Sequence, residues 1–140
     1  MKTIPSTKIE LNHNKIARIQ GLDEFAKILF PHNCNHQKIF LAIFIELKYS
    51  PNQFLSNLSP LCERYRFSPR MLETARSKMR RMGLIDHVSR FNQRYGYREG
   101  WVFSRRFVKT LERLSVLMGN FRTRIDALQK KKDRDLFRYI

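Results

Sequence analysis

The sequence predicts a mainly α-helical protein with one small β-hairpin, and two patterns support this fold class. Apolar residues recur three and four positions apart in several segments, as they do along one face of an α-helix. Near residues 84–107, two stretches alternate apolar and polar residues around a turn-rich segment with two glycines, which is typical of a hairpin. Five glycines and five prolines in 140 residues argue against a disordered chain.

The first 34 residues are predicted to form an N-terminal arm followed by one short helix. Residues 1–20 are polar with scattered isoleucines, and apolar and polar residues alternate over 7–11, so a short strand there is an alternative to the arm. Residues 21–30 are predicted to be helical, and Pro31 ends that helix. Its apolar stripe consists of Leu22, Phe25, Ile28 and Leu29.

Two further helices are predicted before residue 66. The first has Asn35 as its N-cap and continues through Leu47, and it is apolar over so wide an arc that it belongs in the middle of a domain. The second falls around 55–65, where Pro60 delays the start and Ser59 then acts as the cap.

The predicted helix over 68–82 has the clearest boundaries in the chain. Ser68 is its N-cap, Pro69 occupies the favoured first position, and Gly83 ends it. Its buried stripe consists of Leu72, Ala75, Met79 and Met82. Its opposite face carries Arg70, Glu73, Thr74, Ser77, Lys78 and Arg81, with Arg76 and Arg80 on the flanks.

A hairpin and a long helix complete the prediction. The hairpin has strands over 84–91 and 101–107, and the helix runs from 108 to about 128, before a charged tail over 130–134. Gly119 weakens the middle of this helix, where it could divide in two. Steps of four and three, the rhythm of a helix–helix seam, separate Phe107, Leu111, Leu114, Met118, Phe121, Ile125 and Leu128. This stripe predicts a homodimer, and the alternative is that it covers the core of its own chain.

The order of elements resembles a winged helix-turn-helix. The resemblance is carried by Phe67-Ser68-Pro69-Arg70-Met71-Leu72-Glu73-Thr74-Ala75-Arg76-Ser77-Lys78-Met79-Arg80-Arg81-Met82-Gly83-Leu84-Ile85, which is similar to the recognition helix and first wing strand of MarR-like and PadR-like regulators. In that pattern apolar residues precede the glycine by four, eight and eleven positions, here Met79, Ala75 and Leu72. The resemblance covers residues 35 to about 117. Residues 93–100 do not match the Asp and Arg pair of MarR-like wings, so the subfamily stays open.

The resemblance implies a division into an arm with a short helix (1–34), a winged helix-turn-helix domain (35–107), and a dimerisation helix with a basic tail (108–140).

The charge of the chain indicates an anionic partner, because 28 Lys and Arg against 12 Asp and Glu give a net charge of +16. The excess is concentrated over 64–106, which holds twelve basic and three acidic residues. Nucleic acid is a better fit than an acidic membrane surface, because most of the basic residues are arginine.

The expected function is sequence-specific binding of double-stranded DNA, as a dimeric transcriptional regulator. The expected major-groove residues are Ser68, Arg70, Thr74, Ser77, Lys78 and Arg81. Arg94 and Arg98 are expected at the minor groove, and Arg90, Arg105 and Arg106 at phosphates. A plasmid or mobile-element replication or partition protein would use the same contacts. An RNA-binding module with stacking tyrosines, and a protein-interaction module inside a nucleoprotein complex, are the other hypotheses.

Other function classes find little support in the sequence. The phosphate-loop, dinucleotide and nucleophile-elbow motifs are missing, and the carboxylates form no cluster for Mg²⁺, so no enzyme and no cofactor are expected. His32, Cys34 and His36 have one-residue gaps, shorter than those usual in zinc sites, so we interpret them as structural residues with Cys34 buried, while a metal sensor stays open. Residues 1–20 contain no signal-peptide core and the chain has no apolar run of about 18 residues, so a cytoplasmic location is expected.

Overall fold

The computed structural model describes residues 8–139 and divides the chain into two compact units, of which the first extends to Arg106 and the second begins at Phe107. The described part of the first unit contains five α-helices and three strands. In chain order they are α1 (His13–Ala17), α2 (Leu22–Leu29), α3 (Cys34–Tyr49), β1 (Phe54–Leu55), α4 (Pro60–Tyr65), α5 (Pro69–Met82), β2 (Ile85–Val88) and β3 (Gly100–Phe103). The second unit contains most of α6 (Arg106–Thr123) and all of α7 (Ala127–Asp135). The chain is therefore mainly helical with a small antiparallel sheet, as the sequence predicts.

Helix α3 lies in the middle of the first unit. The side chains of Ile39, Phe40 and Ile43 are fully buried. Phe25 of α2 packs edge-on against Phe40, with 6.2 Å between the ring centroids, and Phe103 of β3 lies 5.1 Å from Phe44. The predicted central position of this helix is confirmed, because α2, α5 and β1 all contact it.

The start of α3 differs from the prediction by two residues. The N-cap is Asn33, whose side-chain oxygen accepts a hydrogen bond from the His36 backbone N–H at 3.0 Å. Asn35, the predicted cap, is already inside the helix, because the capping side chain must precede the backbone N–H groups that it satisfies.

The sheet has three strands in the order β1–β3–β2, all antiparallel, where only the hairpin of β2 and β3 was predicted. Phe54 pairs with Val102 and Leu55 with Trp101, so Leu55 lies in a strand and not in the predicted helix over 55–65. Gly100 permits this pairing, because a Cβ atom there would lie 2.4 Å from the Phe54 ring and 2.6 Å from the Leu55 carbonyl oxygen. Two residues are too few for the alternation that reveals a strand in sequence.

One predicted cap and one predicted strand end differ from the structure. Helix α4 begins at Pro60 with Ser59 at the N-cap position, as predicted, but the Ser59 side chain makes no capping hydrogen bond. The second hairpin strand ends at Phe103 and not at Phe107, because α6 begins at Arg106 and the Ser104 hydroxyl accepts a hydrogen bond from its backbone N–H at 3.2 Å.

The N-terminal arm contains the short helix α1, which the sequence did not predict. The alternative of a short strand over 7–11 is wrong for residues 8–11, which form no strand, and Thr7 lies outside the described residues. Asn12 caps α1 through a hydrogen bond from the Lys15 backbone N–H at 3.0 Å. The arm is attached to α2 by the Glu10 backbone N–H, which donates to the Ile28 carbonyl oxygen at 3.0 Å.

The predicted long helix is divided into two α-helices, but not at Gly119. Gly119 remains inside α6, and the break falls at residues 124–126, where Asp126 caps α7 by accepting a hydrogen bond from the Gln129 backbone N–H at 2.8 Å. A capping side chain thus decides the division that the sequence placed at the glycine. The predicted charged tail over 130–134 is helical, as part of α7. Over residues 8–139, none of the helices is both long enough and apolar enough to cross a bilayer.

Candidate nucleic-acid interface

A three-residue turn joins α4 to α5 and fixes the start of α5. Arg66 takes the left-handed conformation with φ 57°, and the Phe67 backbone N–H returns to the Cys62 carbonyl oxygen at 3.1 Å. Ser68 then caps α5, because its hydroxyl accepts a hydrogen bond from the Met71 backbone N–H at 3.1 Å. The connection between α4 and α5 therefore has a fixed backbone path and leads into a capped helix.

Helix α4 is held against α3 by a polar contact around Glu46. The Tyr65 hydroxyl donates to one carboxylate oxygen of Glu46 at 2.7 Å, and Arg64 contacts the other at 2.8 Å. The hydrogen bond from Tyr65, followed by those from Arg64, lowers the pKa of Glu46. The carboxylate is therefore stabilised in its charged form, and the orientation of α4 relative to α3 gains a polar contact besides its apolar ones.

One face of α5 is buried as predicted. Leu72, Ala75, Met79 and Met82 are all buried, and this stripe faces α3 and β2. The burial of these side chains leaves the opposite face to solvent, where Arg70 and Arg81 are exposed. Glu73 lies on the same exposed face, so the surface is basic but not uniformly so.

The small polar residues of this face bond within the helix. The Thr74 hydroxyl donates to the Arg70 carbonyl oxygen at 3.1 Å, and the Ser77 hydroxyl donates to the Glu73 carbonyl oxygen at 2.9 Å. Each hydroxyl oxygen keeps its capacity to accept a hydrogen bond. The side chains are short, so a ligand such as a nucleic-acid base can come close to the helix between Arg70 and Arg81.

Lys78 points to α3 and not to the exposed face. Its ammonium group lies 3.1 Å from the His36 Nδ1 atom, and His36 is buried. Burial, followed by the nearby charge of Lys78, lowers the pKa of His36, so the ring is neutral at pH 7 and accepts the hydrogen bond. Among the predicted major-groove residues, Lys78 is thus the one whose side chain contacts another helix.

Two arginines that the sequence placed only on the flanks of α5 form an ordered cationic pair. The guanidinium carbons of Arg76 and Arg80 lie 5.0 and 5.7 Å from the ring centroid of Trp101. The His87 ring lies 4.8 Å from the same ring, and its Nε2 atom lies 3.3 Å from Glu99. A guanidinium group that lies over an aromatic ring can still donate N–H hydrogen bonds to a phosphate. We name Arg76, Arg80 and Trp101 the stacked pair site.

The sequence carries one signal for this site. Arg76 and Arg80 are four positions apart, so they occupy the same side of a helix. The stacking partner, however, comes from β3, and the pairing of a helix flank with a particular strand residue is a tertiary contact. Sequence periodicity alone therefore does not distinguish these two arginines from others on a solvated flank.

Arg105 and Arg106 are adjacent in sequence but differ in surroundings. The Arg106 Nη2 atom donates to the Arg80 carbonyl oxygen at 2.9 Å and to that of Ile85 at 3.3 Å, and it contacts Asp86 Oδ1 at 2.6 Å. Arg105 is exposed. Arg106, a predicted phosphate contact, thus closes the C-terminal end of α5 against β2, whereas Arg105 extends into solvent.

The loop over residues 89–99, which connects β2 to β3, is anchored on β1. The Tyr95 ring lies 6.2 Å from the Phe54 ring, and the Arg98 guanidinium lies 4.5 Å above that same ring. Arg98 also donates from Nε to the Tyr95 carbonyl oxygen at 3.3 Å. Arg90 and Arg94 are exposed beside the aromatic rings of the residues that follow each of them. The loop therefore presents three arginines from a backbone that packs on the sheet.

The predicted site residues are thus divided among three places in the first unit. Ser68, Arg70, Thr74, Ser77 and Arg81 lie along α5, and Arg90, Arg94 and Arg98 lie on the 89–99 loop. The side chains of Lys78, Arg98 and Arg106 contact other elements of the protein, and Arg105 directly precedes α6.

The histidine and cysteine cluster near α3 does not converge. His32 and Cys34 are exposed, while His36 is buried and contacts Lys78. The expectation that Cys34 is buried is wrong, because the first turn of α3 leaves it at the surface. Within residues 8–139, no group of three or more His, Cys, Asp or Glu side chains is arranged to hold a metal ion.

Comparison of the chain with protein-family models, with curated proteins and with solved structures finds no match. The functional interpretation therefore rests on the chain's own residues and their arrangement.

Proposed function

We propose that this protein is a winged helix-turn-helix protein that binds duplex DNA, with α5 in the major groove and the 89–99 loop as the wing. The observation that carries the proposal is the arrangement of α5. Its apolar face is buried, its exposed face presents Arg70 and Arg81, and its flank presents the stacked pair site toward the sheet. The major groove admits one α-helix, and it is the groove in which all base pairs are distinguishable.

The order of elements agrees with this proposal. Helix α3, strand β1, helices α4 and α5, and strands β2 and β3 follow one another, and β1 pairs with β3. Helix α5 contacts β2, and the 89–99 loop connects β2 to β3. Our proposal is that a duplex lying along α5 also contacts this loop. The third strand was not part of the resemblance found in the sequence, and it completes the sheet that supports the wing.

The chemistry assigns different tasks to the arginines. Arg70 and Arg81 have planar donor groups that can bind guanine edges in the groove. The stacked pair site and Arg105 supply cations for phosphates, which add affinity without sequence information. Lys78 and Arg106, engaged with His36 and Asp86, maintain the shape of the surface. A regulator and a replication or partition protein would share these contacts, and the bound sequence decides between them.

We propose further that two chains associate through the C-terminal unit. Within α6, which is described along its whole length, none of the side chains is buried, and those of Leu111, Leu114, Met118 and Phe121 are exposed along the predicted stripe. An apolar stripe of this length on a soluble protein usually marks an interface. Two-fold dimers that present one recognition helix per chain bind half-sites about 34–36 Å apart, one turn of DNA.

Light scattering tests the dimer directly. We expect the native chain to have twice its monomer mass of 16.9 kDa, and Phe121→Asp to have the monomer mass. Val116→Asp is the matched control, because Val116 is an exposed apolar residue of the same helix that lies off the stripe. A monomeric native chain, or equal effects of the two substitutions, would contradict this interface.

DNA binding is tested by selecting a preferred duplex from a random pool and measuring variants on it. Arg70→Ala and Arg81→Ala should weaken binding to the selected sequence by about 1–3 kcal/mol and should affect unrelated duplexes less. Lys38→Ala is the control, because Lys38 is exposed on α3 about 200° around the helix from His36, which faces α5. Equal losses on all sequences would reject base readout by α5.

The only tryptophan reports on the stacked pair site. Trp101 contacts both arginines, so its fluorescence should change when a phosphate binds their guanidinium groups and moves them relative to the ring. Arg76→Ala together with Arg80→Ala should abolish the change and weaken binding on all sequences alike. Binding of duplex DNA with an unaltered tryptophan signal would remove this site from the interface.

A further inference from the structure

The 89–99 loop exposes two large aromatic side chains that the proposed contacts do not use. The exposed fractions are 78% for Phe91 and 61% for Tyr97. Tyr95, the third aromatic residue of the loop, packs instead on Phe54. The loop therefore uses one aromatic ring as an anchor and presents the other two to solvent.

The backbone that carries these rings is well defined. The Asn92 carbonyl oxygen accepts hydrogen bonds from the backbone N–H groups of Tyr95 at 3.3 Å and Tyr97 at 3.0 Å, and the Asn92 side chain accepts one from Arg94 N–H at 3.0 Å. Gly96 takes the left-handed conformation that this turn requires. The hydrogen bond between residues 92 and 97 closes a turn that begins directly after Phe91 and ends at Tyr97. Local hydrogen bonds therefore hold the backbone next to both rings.

The surroundings of the rings are cationic. Arg90 lies 5.3 Å above the Phe91 ring and Arg94 lies 5.7 Å from the Tyr95 ring, while Arg98 is bound at the base of the turn. The sequence between Asp86 and Glu99 contains no acidic residue. Exposed aromatic rings flanked by arginines are complementary to the minor groove, whose potential is negative and where apolar side chains can enter between base steps.

We propose that the 89–99 loop kinks duplex DNA by inserting Phe91 between two base pairs in the minor groove, with Tyr97 against the groove wall. This inference rests on the proposed function. Apolar wedges of this kind partly unstack a base step and bend the duplex by about 20–90°. The arginines around the tip draw the phosphates of both strands toward the loop and offset part of the unstacking cost. Flexible pyrimidine–purine steps are the preferred sites, because they unstack at the lowest cost.

Energy transfer between dyes at the two ends of a duplex of about 30 base pairs tests the proposal. The native chain should shorten the distance between the ends, and the effect should be larger on a duplex with a central TA step than on one with a central A-tract. Phe91→Ala should lose the bend while the anisotropy titration still shows binding. Phe91 is so exposed that this substitution leaves the folded state intact, which a thermal melt verifies.

Phe91→Leu distinguishes a wedge from base stacking. A wedge requires apolar bulk, so leucine should retain the bend, whereas stacking on an unpaired base requires the flat ring. Loss of the bend in Phe91→Leu, with tighter binding of single strands by the native chain, would overturn the proposal in favour of single-strand recognition. Duplex binding with no bend in the native chain would overturn the wedge and leave the proposed function in place. Failure to bind duplex DNA would overturn both.

Discussion

Substitution of Arg106 by alanine should destabilise the first unit, whereas the same substitution at the adjacent Arg105 should not. The Arg106 guanidinium joins three backbone or side-chain groups of the α5–β2 connection: the carbonyl oxygens of Arg80 and Ile85 and the carboxylate of Asp86. Arg105 is exposed at the start of α6. The two residues have the same charge, so each is the control for the other.

The magnitude follows from these contacts. The ion pair with Asp86 is partly exposed on both sides, with side-chain exposures of 52% and 41%, so it contributes at most about 1 kcal/mol. The two hydrogen bonds to carbonyl oxygens add about 0.5–1.5 kcal/mol each before allowance for their partial hydration. Water replaces part of both contributions in the variant. We therefore expect Arg106→Ala to lower the free energy of unfolding by about 1–2 kcal/mol.

Urea denaturation followed by circular dichroism measures this difference. Arg105→Ala should unfold within about 0.5 kcal/mol of the native chain, because it removes an exposed side chain. In the DNA titration, Arg105→Ala should lower affinity on every sequence and reduce the salt slope by about 1. Equal stability of the two variants would refute the structural role of Arg106. An unchanged salt slope in Arg105→Ala would refute its contact with phosphate.

Three further predictions concern stability. Because burial lowers the pKa of His36, this histidine is protonated in the unfolded chain at a higher pH than in the folded chain, and the free energy of unfolding should fall as the pH drops below 6.5. Urea unfolding at about pH 7.5 and 5.5 should show a shallower pH dependence for His36→Gln than for the native chain. Equal dependences would contradict this. Gly100→Ala should destabilise the sheet by about 1–3 kcal/mol in thermal melts, because the added Cβ atom clashes with β1. Gly119→Ala has open space around it in α6, so it should leave the stability unchanged or raise it by up to about 1 kcal/mol. Ser68→Ala removes the cap of α5 and should cost about 1 kcal/mol in urea unfolding, and no loss would show that Ser68 acts only as a surface residue.

The sequence predicted the elements whose signals are local. Helix α5 has a cap, a proline at its first position and a terminal glycine, and each of these acts within four residues, so both ends agree with the structure. The buried stripe of α5 follows from spacing alone, because a helix repeats every 3.6 residues. The exposed face, and with it Arg70 and Arg81, is fixed at the same time.

Other features depend on contacts between distant residues. Strand β1 has two residues, and it is a strand only because Gly100 lets β3 approach it. The stacked pair site requires the flank of α5 to meet Trp101. Arg106 differs from Arg105 because Asp86 and two backbone carbonyl oxygens lie within its reach. In the second unit, Asp126 divides the helix where its side chain can cap α7, and Gly119 does not. Spacing within one segment contains no information about these partners.

The proposed preference for duplex DNA is tested most directly by an equilibrium competition between duplex DNA and a structured RNA of matched length, followed by anisotropy from about 50 to 200 mM salt. We expect duplex DNA to displace the RNA, and Arg94→Ala and Arg98→Ala each to reduce the steep salt slope for DNA. Displacement of DNA by RNA would contradict it and favour an RNA-binding module. Absence of binding to either would contradict it and favour a module that acts through protein contacts.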